Sequence, residues 1–272
     1  MDSIRTGFIG IGSQGGPMAL RMLAQFPLTV WARRPEATEP FVDAGASAAQ
    51  SVEELGAACD HVGLCVVNDQ DVLDICAKLV PAMAKGSLLA LHSTILPETA
   101  IEVEALCQAH GVAFVDAPVS GGAPGAQAGT MTVMCGGQPE ALEQARPVFD
   151  TFGKLIVLLG PAGAGQKAKI VNNALMAANM GLAQAALQAG ESLGIDRKAL
   201  AELVNASSGG SFGFQVYARI PEPTAFAHGA KMLLKDTNLL AAILPDNANS
   251  AMLEETAKSF LLRAVPEETE TA

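Results

Sequence analysis

Aromatic side chains are scarce in this chain: 4% of 272 residues, with a single Trp and a single Tyr. A core without them has to be built mostly from Ala, Val, Leu and Ile, which suits helices packed on a buried sheet. Positive charge is also short, with 17 Lys and Arg against 28 Asp and Glu and a net charge of −11. An acidic chain without a basic stripe is a poor candidate for nucleic acid or an anionic membrane, although a local site can still take a small anion. Long apolar runs are missing as well. The least polar window, Val171–Gly190, carries Asn172, Asn173, Asn179, Gln184 and Gln188, too polar for a lipid-exposed span. The N-terminus, MDSIRTGFIGIG, lacks the charged start and apolar stretch of a signal peptide. Five Cys show no CxxC pair and lie mostly in apolar runs, and the four His are scattered. Reduced thiols, no metal site and a cytoplasmic location are the expectation. Half the residues are hydrophobic and 17% charged, which excludes global disorder.

What is present is an alternation. Arg5–Ile9, Leu28–Trp31, His61–Val67, Ser87–His92, Val112–Ala117, Thr132–Cys135 and Lys154–Leu159 read as strands. They are continuous apolar runs, as strands covered on both faces should be. Helical patterns fall between them at Gln14–Gln25, Ser51–Ala58, Gln70–Leu79, Pro97–His110 and Pro139–Phe152. Repeated β-α-β units imply a mainly parallel, doubly wound α/β sheet of Rossmann type. The pattern changes after Pro161-Ala-Gly-Ala-Gly165. A proline-free stretch over 166–193 predicts one helix of roughly 42 Å, and only helices follow it, at Asp196–Asn205, Ala230–Leu244 and Ser250–Leu262. The expected organisation is a dinucleotide-binding domain over 1–162 and an all-helical substrate and oligomerisation domain over 163–265. The long helix joins them, and 266–272 forms an acidic, frayed tail.

Five motifs carry chemistry. Gly10-Ile11-Gly12-Ser13-Gln14-Gly15 follows the first strand and opens a helix, the context in which GxGxxG means a dinucleotide site. Gly10 would allow the tight turn, Gly12 the approach of a diphosphate and Gly15 the packing of helix on strand, with the anion on the helix N-terminus. At the end of the second strand an NAD site usually has an acid for the ribose 2′-hydroxyl. Here Ala32 is followed by Arg33 and Arg34, which suit a 2′-phosphate, so NADP is favoured over NAD. The bland alternative is a solvated arginine pair beside Glu36 and Glu39. Asp116-Ala-Pro-Val-Ser-Gly-Gly122 ends a strand on the presumed ligand edge. Its Ser120, Gly121 and Gly122 could cradle a carboxylate or could be a connector alone. In Gly163-Ala-Gly-Gln-Lys-Ala-Lys169-Ile-Val-Asn-Asn173, Lys169 and Asn173 are i and i+4 and share a helix face, while Lys167 and Asn172 point elsewhere. A lysine on an apolar helix suits proton transfer at an alcohol oxygen; alone it would more often be a snorkelling surface residue. Lys235-Asp236 by itself reads as a solvated face. Asn68 and Ser93-Thr94 also end strands on the ligand edge. Ser211-Phe212-Gly213-Phe214 could line a pocket or simply pack a helix.

Taken together and in this order, these motifs resemble the β-hydroxyacid dehydrogenase family, the group of 3-hydroxyisobutyrate dehydrogenase and tartronate semialdehyde reductase. The resemblance covers nearly the whole chain. It implies Lys169 as catalytic acid/base, with Ser120, Gly121, Gly122 and Asn173 holding the substrate. It places Thr94 near nicotinamide and carboxylate, and Lys235 on the cofactor side of the cleft. It also implies a dimer or tetramer. Ala32 departs from the family's frequent Asn, and the chain stops soon after Phe260-Leu-Leu-Arg263. Asn172 stands where the related 6-phosphogluconate dehydrogenases typically have His, and Lys169 argues against the imine reductases. The expected activity is NADP-linked interconversion of a small carboxylate-bearing β-hydroxyacid and its semialdehyde. A ketone or imine reductase on the same scaffold, or a dinucleotide-binding regulator without turnover, are the alternatives.

Overall fold

The computed structural model describes residues 3–244 and 248–265. Strand β1 (Thr6–Ile9) leads into α1 (Gly15–Leu23) and β2 (Leu28–Trp31). After a 3-10 turn come α2 (Glu39–Asp43), β3 (Ser47–Ala48), α3 (Val52–Ala58), β4 (His61–Leu64), α4 (Asp69–Ala82), β5 (Leu88–Leu91), α5 (Pro97–His110) and β6 (Ala113–Asp116). These six strands are parallel, in the order β3-β2-β1-β4-β5-β6. Then follow β7 (Val119–Ser120), α6 (Gly122–Ala128), β8 (Met131–Gly137), α7 (Pro139–Phe149) and β9 (Gly153–Leu158). β8 runs antiparallel to β6 and β7 and parallel to β9, so the sheet is mixed at this edge.

The continuous apolar strands have the cause expected of them. Successive side chains alternate between two cores. Phe8, Leu88 and Ala90 pack on one face with Met18, Phe149 and Phe152, while Ile9, Leu89 and Leu91 pack on the other with Val72, Leu79 and Val103. Helix starts are marked locally. Ser51 Oγ accepts from the Glu54 N–H at 3.1 Å, and Asn68 Oδ1 accepts from the Asp71 N–H at 2.8 Å. Pro97 and Pro139 occupy first turns, where no N–H is missed.

Four short elements escape the sequence reading: α2, β3, β7 and α6. β3 and β7 have two residues each and exist through pairing with β2 and β8. α6 contains Gly122, Pro124 and Gly125, a composition of low helix propensity. It forms because Ala126 is buried in the core with Met131 and Val133.

The long helix α8 runs Ala164–Ser192, followed by α9 (Arg197–Asn205), α10 (Phe212–Tyr217), α11 (Ala227–Ile243) and α12 (Ala248–Ala264). The chain divides into two compact units, with the division between Lys169 and Ile170. In the second unit, Met180, Leu187, Phe214, Tyr217 and Phe260 form a buried cluster, with Tyr217 edge-on to Phe260 at 5.7 Å. Ser211 caps α10 by accepting from the Phe214 N–H; Phe214 packs in the core, whereas Phe212 is 69% exposed. The acidic tail 266–272 lies outside the described residues. Among the described residues no helix is long and apolar enough to cross a membrane.

Candidate dinucleotide and substrate site

The strand order reverses direction at β1, between β2 and β4, and loops leaving two adjacent strands diverge there. A groove of about 340 Å³ opens at this point, lined by Gly10, Gly12, Trp31, Arg33, Arg34 and Val67 among others. In open α/β sheets this switch point is where ligands bind. The three glycines differ in what a Cβ would meet. At Gly10, φ is +91°, and an added Cβ would collide with the Cys65 carbonyl. At Gly15 it would collide with the Gly10 carbonyl and lie 2.9 Å from the Phe8 ring. At Gly12 it would meet nothing within 4 Å. Gly10 and Gly15 are therefore required by the fold, whereas the space beside Gly12 is open groove. Ser13 is exposed, and the Gln14 side chain makes no capping bond to α1, whose first turn holds no acid. Uncapped N–H groups at the positive end of a helix, beside an open glycine, fit the diphosphate of a dinucleotide.

Arg33 and Arg34 both line the groove, at the end of β2. Arg33 is paired with Asp71 of α4, Nη1 to Oδ1 at 3.0 Å, rather than with Glu36 or Glu39. Asn68 leaves β4 as the cap of α4, and its Nδ2 donates to the same Asp71 carboxylate at 3.2 Å. Thr94 follows β5, half-buried between the buried Ser93 and Ile95.

Two buried polar residues shape the strand ends and α8. Gln166 accepts from the Ile95 N–H at 3.1 Å and donates to the Ser93 carbonyl at 3.0 Å, clamping the Thr94 loop on both sides. Asp116, last residue of β6, accepts from the Gly163 N–H at 2.8 Å and the Gln166 N–H at 3.0 Å, and so caps α8. Burial pushes its carboxyl up to about 6, against those same donors. A Cβ on Gly136 would collide with this carboxylate, and one on Gly165 would come within 2.7 Å of it. Part of the Gly163-Ala-Gly165 signal is therefore clearance for Asp116.

Ser120 ends β7, and Gly121 and Gly122 follow with φ of +135° and +59°. Both glycines are needed for the chain to turn into α6, whatever else they do. Among the described residues the Ser120 hydroxyl has no hydrogen-bond partner, and the side chain is half-buried.

Along α8, Lys169 and Asn173 are 9% and 8% exposed, whereas Lys167 and Asn172 are exposed. The one-face reading of i and i+4 holds, and Lys169 is no snorkelling surface lysine. Asn173 Nδ2 donates to Asp236 Oδ2 at 2.6 Å, and Lys235 Nζ lies 3.3 Å from Asp236 Oδ1. The pair Lys235-Asp236 is thus partly buried, with Asp236 4% exposed, not a solvated face. Three of the thiols are held protonated by burial, which pushes Cys59 up to about 11 and Cys76 and Cys135 up to about 12.

Known proteins share this frame. The family described as the NAD binding domain of 6-phosphogluconate dehydrogenase matches residues 5–160, and that described as NAD-binding of NADP-dependent 3-hydroxyisobutyrate dehydrogenase matches 163–271. NAD-dependent L-serine dehydrogenase of Pseudomonas aeruginosa is 37% identical, over 93% of this chain and 89% of its own. The chain belongs to the β-hydroxyacid dehydrogenase family. As a β-hydroxyacid dehydrogenase it is an NAD(P)-dependent oxidoreductase. The structure of Mycobacterium tuberculosis 3-hydroxyisobutyrate dehydrogenase with L-serine superposes with a TM-score of 0.84 at 27% identity, covering 97% of this chain and 96% of that one. Psf3 in complex with NADP+ and 2-OPP gives 0.82 at 27%, covering 93% of each. These relatives divide over the cofactor, one being NAD-dependent and another holding NADP+.

Four residues that shape this candidate site were given no role in it by the sequence: Asp71, Gln166, Asp116 and Asp236. Asp116, Gln166 and Asp236 lie inside the motifs, and the two acids stand out by their apolar surroundings. Asp71 has a local partner in Asn68, but its pairing with Arg33, like those of Gln166 with Ser93 and Ile95, joins segments far apart in sequence.

Proposed function

We propose that this chain interconverts a small β-hydroxyacid and its semialdehyde or keto form, with NADPH preferred. The observation that carries the reading is the buried Lys169 on the same face of α8 as Asn173, a positioned ammonium one helical turn from an amide. Residues 1–162 bind the dinucleotide, and 163–265 supply substrate contacts and assembly. Gly10, Gly12, Ser13, Gln14 and Gly15 hold the diphosphate, Arg33 and Arg34 the 2′-phosphate, and Asn68, Thr94 and Lys235 the remainder of the cofactor. When bound, the nicotinamide accepts or supplies the hydride. Lys169 Nζ takes the hydroxyl proton as the alcohol is oxidised, and returns a proton to the oxygen as the carbonyl is reduced. Ser120 with the Gly121 and Gly122 backbone anchors the carboxylate, and Asn173, oriented by Asp236, holds the reacting oxygen. The protein's part is orientation and charge.

The cytoplasm is the proposed compartment. A homodimer or homotetramer is the proposed assembly, supported by Val171, Leu175 and Leu182, 44–59% exposed on one face of α8. A screen of small semialdehydes, each with NADH and NADPH, tests the activity. Turnover by wild type and its loss in Lys169→Ala is the expected result. No turnover of any carboxylate-bearing semialdehyde would overturn the reading.

A further inference from the structure

Arg33 reaches across to α4, where Asp71 holds it. Nη1 stands 3.0 Å from Asp71 Oδ1, and Nη2 3.5 Å from Oδ2. Asp71 is itself anchored: its N–H donates to Asn68 Oδ1 at 2.8 Å, and its Oδ2 accepts from Asn68 Nδ2 at 3.2 Å. The carboxylate side chain is 23% exposed against 70% for the arginine, so the acid is the fixed partner and the arginine the reaching one. A second groove, lined by Ser51, Asp74 and Lys78, also contains Asp71, and Trp31, Arg33 and Ile75 line both grooves. The ion pair therefore lies at the boundary of the groove whose open side carries the phosphate loop.

We propose that Asp71 is a cofactor-selectivity residue, which lowers the affinity for a dinucleotide bearing a 2′-phosphate relative to one with a free 2′-hydroxyl. The inference rests on the reading of this groove as the seat of the adenosine end. A 2′-phosphate has to share Arg33 with a carboxylate of its own sign or displace it. A 2′-hydroxyl carries no charge and feels neither cost. NAD-selective sites usually have their acid at the end of the second strand. Here Ala32 is in that region, and the acid comes from the first turn of α4, where the helix dipole favours it. The chain thus brings two arginines that favour NADPH and one acid that moderates the preference, within a single strand-end cluster.

The test needs no substrate, because Trp31 is the only Trp of the chain and lines the groove, so its fluorescence reports NADPH and NADH binding. Asp71→Asn should tighten NADPH by about fivefold and leave NADH within about twofold, the scale of an exposed ion pair. In an Arg33→Ala background the same substitution should change NADPH affinity by less than about twofold, the coupling expected of neighbours. Asp74→Asn is the control. It removes the same charge from α4, but its carboxylate is bonded to Gln70 at 2.8 Å and not to Arg33. An equal gain for both cofactors, an undiminished gain without Arg33, or an equal gain in Asp74→Asn would each overturn the proposal while leaving the cofactor reading in place. Failure of wild type to bind either dinucleotide would overturn both.

Discussion

Acidification should destabilise this fold well before its carboxylates are the cause. His61 and His92 are buried beneath the sheet with Phe8, Phe149 and Phe152; His92 stacks on Phe8 at 6.0 Å and meets Phe152 edge-on at 5.6 Å. The His92 Nδ1–H donates to the Ala117 carbonyl at 2.8 Å, and among the described residues the Nε2 of each ring has no partner. Burial is the main cause that holds His61 down to about 3 and His92 down to about 4, from an ordinary 6.5. Both rings therefore stay neutral at pH 5 in the folded chain and protonate only in the unfolded one. The folded values lie below the unfolded value, so the stability is present above pH 6.5 and is lost as pH falls. Each histidine favours the unfolded state by about 2 kcal/mol at pH 5, or about 4 kcal/mol for the two. Asp116 acts in the opposite sense. Its folded value of about 6 lies above the ordinary 3.8, so the folded chain binds a proton first. That returns about 1 kcal/mol on going from pH 8 to 5. The net expectation is a loss of about 3 kcal/mol, a large part of a typical domain's stability. Urea unfolding followed by circular dichroism at pH 8, 7, 6 and 5 measures it. His61→Leu, similar in volume and without a titrating group, should lose about 2 kcal/mol less over the same range. A flat profile between pH 8 and 5, or an unchanged slope in His61→Leu, would refute the argument.

Lys169→Ala should lower kcat by about 10²–10⁴ on a confirmed substrate, and the exposed Lys167→Ala should be nearly silent; retained kcat in the first would remove the lysine from the chemistry. Gly12→Ala should keep its melting temperature and weaken dinucleotide binding by about tenfold or more, because the added methyl projects into open groove. Gly10→Ala should instead unfold more easily by more than about 1 kcal/mol, from its positive φ and the Cys65 carbonyl in its path. Asp116→Ala leaves the Gly163 and Gln166 N–H groups without their acceptor and should cost about 1–3 kcal/mol, with Asp116→Asn losing less; equal stability of Asp116→Ala in urea would show that the cap is dispensable.

Much of the candidate site was legible because its geometry depends on local rules. Gly10, Gly12 and Gly15 are spaced by the geometry of one strand-to-helix turn, and the i and i+4 relation of Lys169 and Asn173 is fixed by 3.6 residues per turn. The two-sided burial of β1, β4 and β5 shows in their apolar runs, and the change from alternating strands and helices to helices alone shows as a change of pattern after Gly165. The start of α8 at Ala164 and its end at Ser192 fall close to the sequence expectation of 166–193. These features follow from backbone geometry and hydrophobic periodicity, which act over a few residues.

The remainder was decided by contacts between distant segments. Nothing local pairs Arg33 with Asp71 instead of the nearer Glu36, or sends the Asp116 carboxylate to the N-terminus of a helix 47 residues on. The helix α6 forms against propensity because the core takes its Ala126. Gln166 became a clamp on the Thr94 loop only once the sheet brought β5 beside it. The sequence alone determined which residue types and which turns were available to the site. Tertiary structure decided which of them meet, because a hydrogen bond or ion pair depends on distance in space, and separation along the chain does not set that distance.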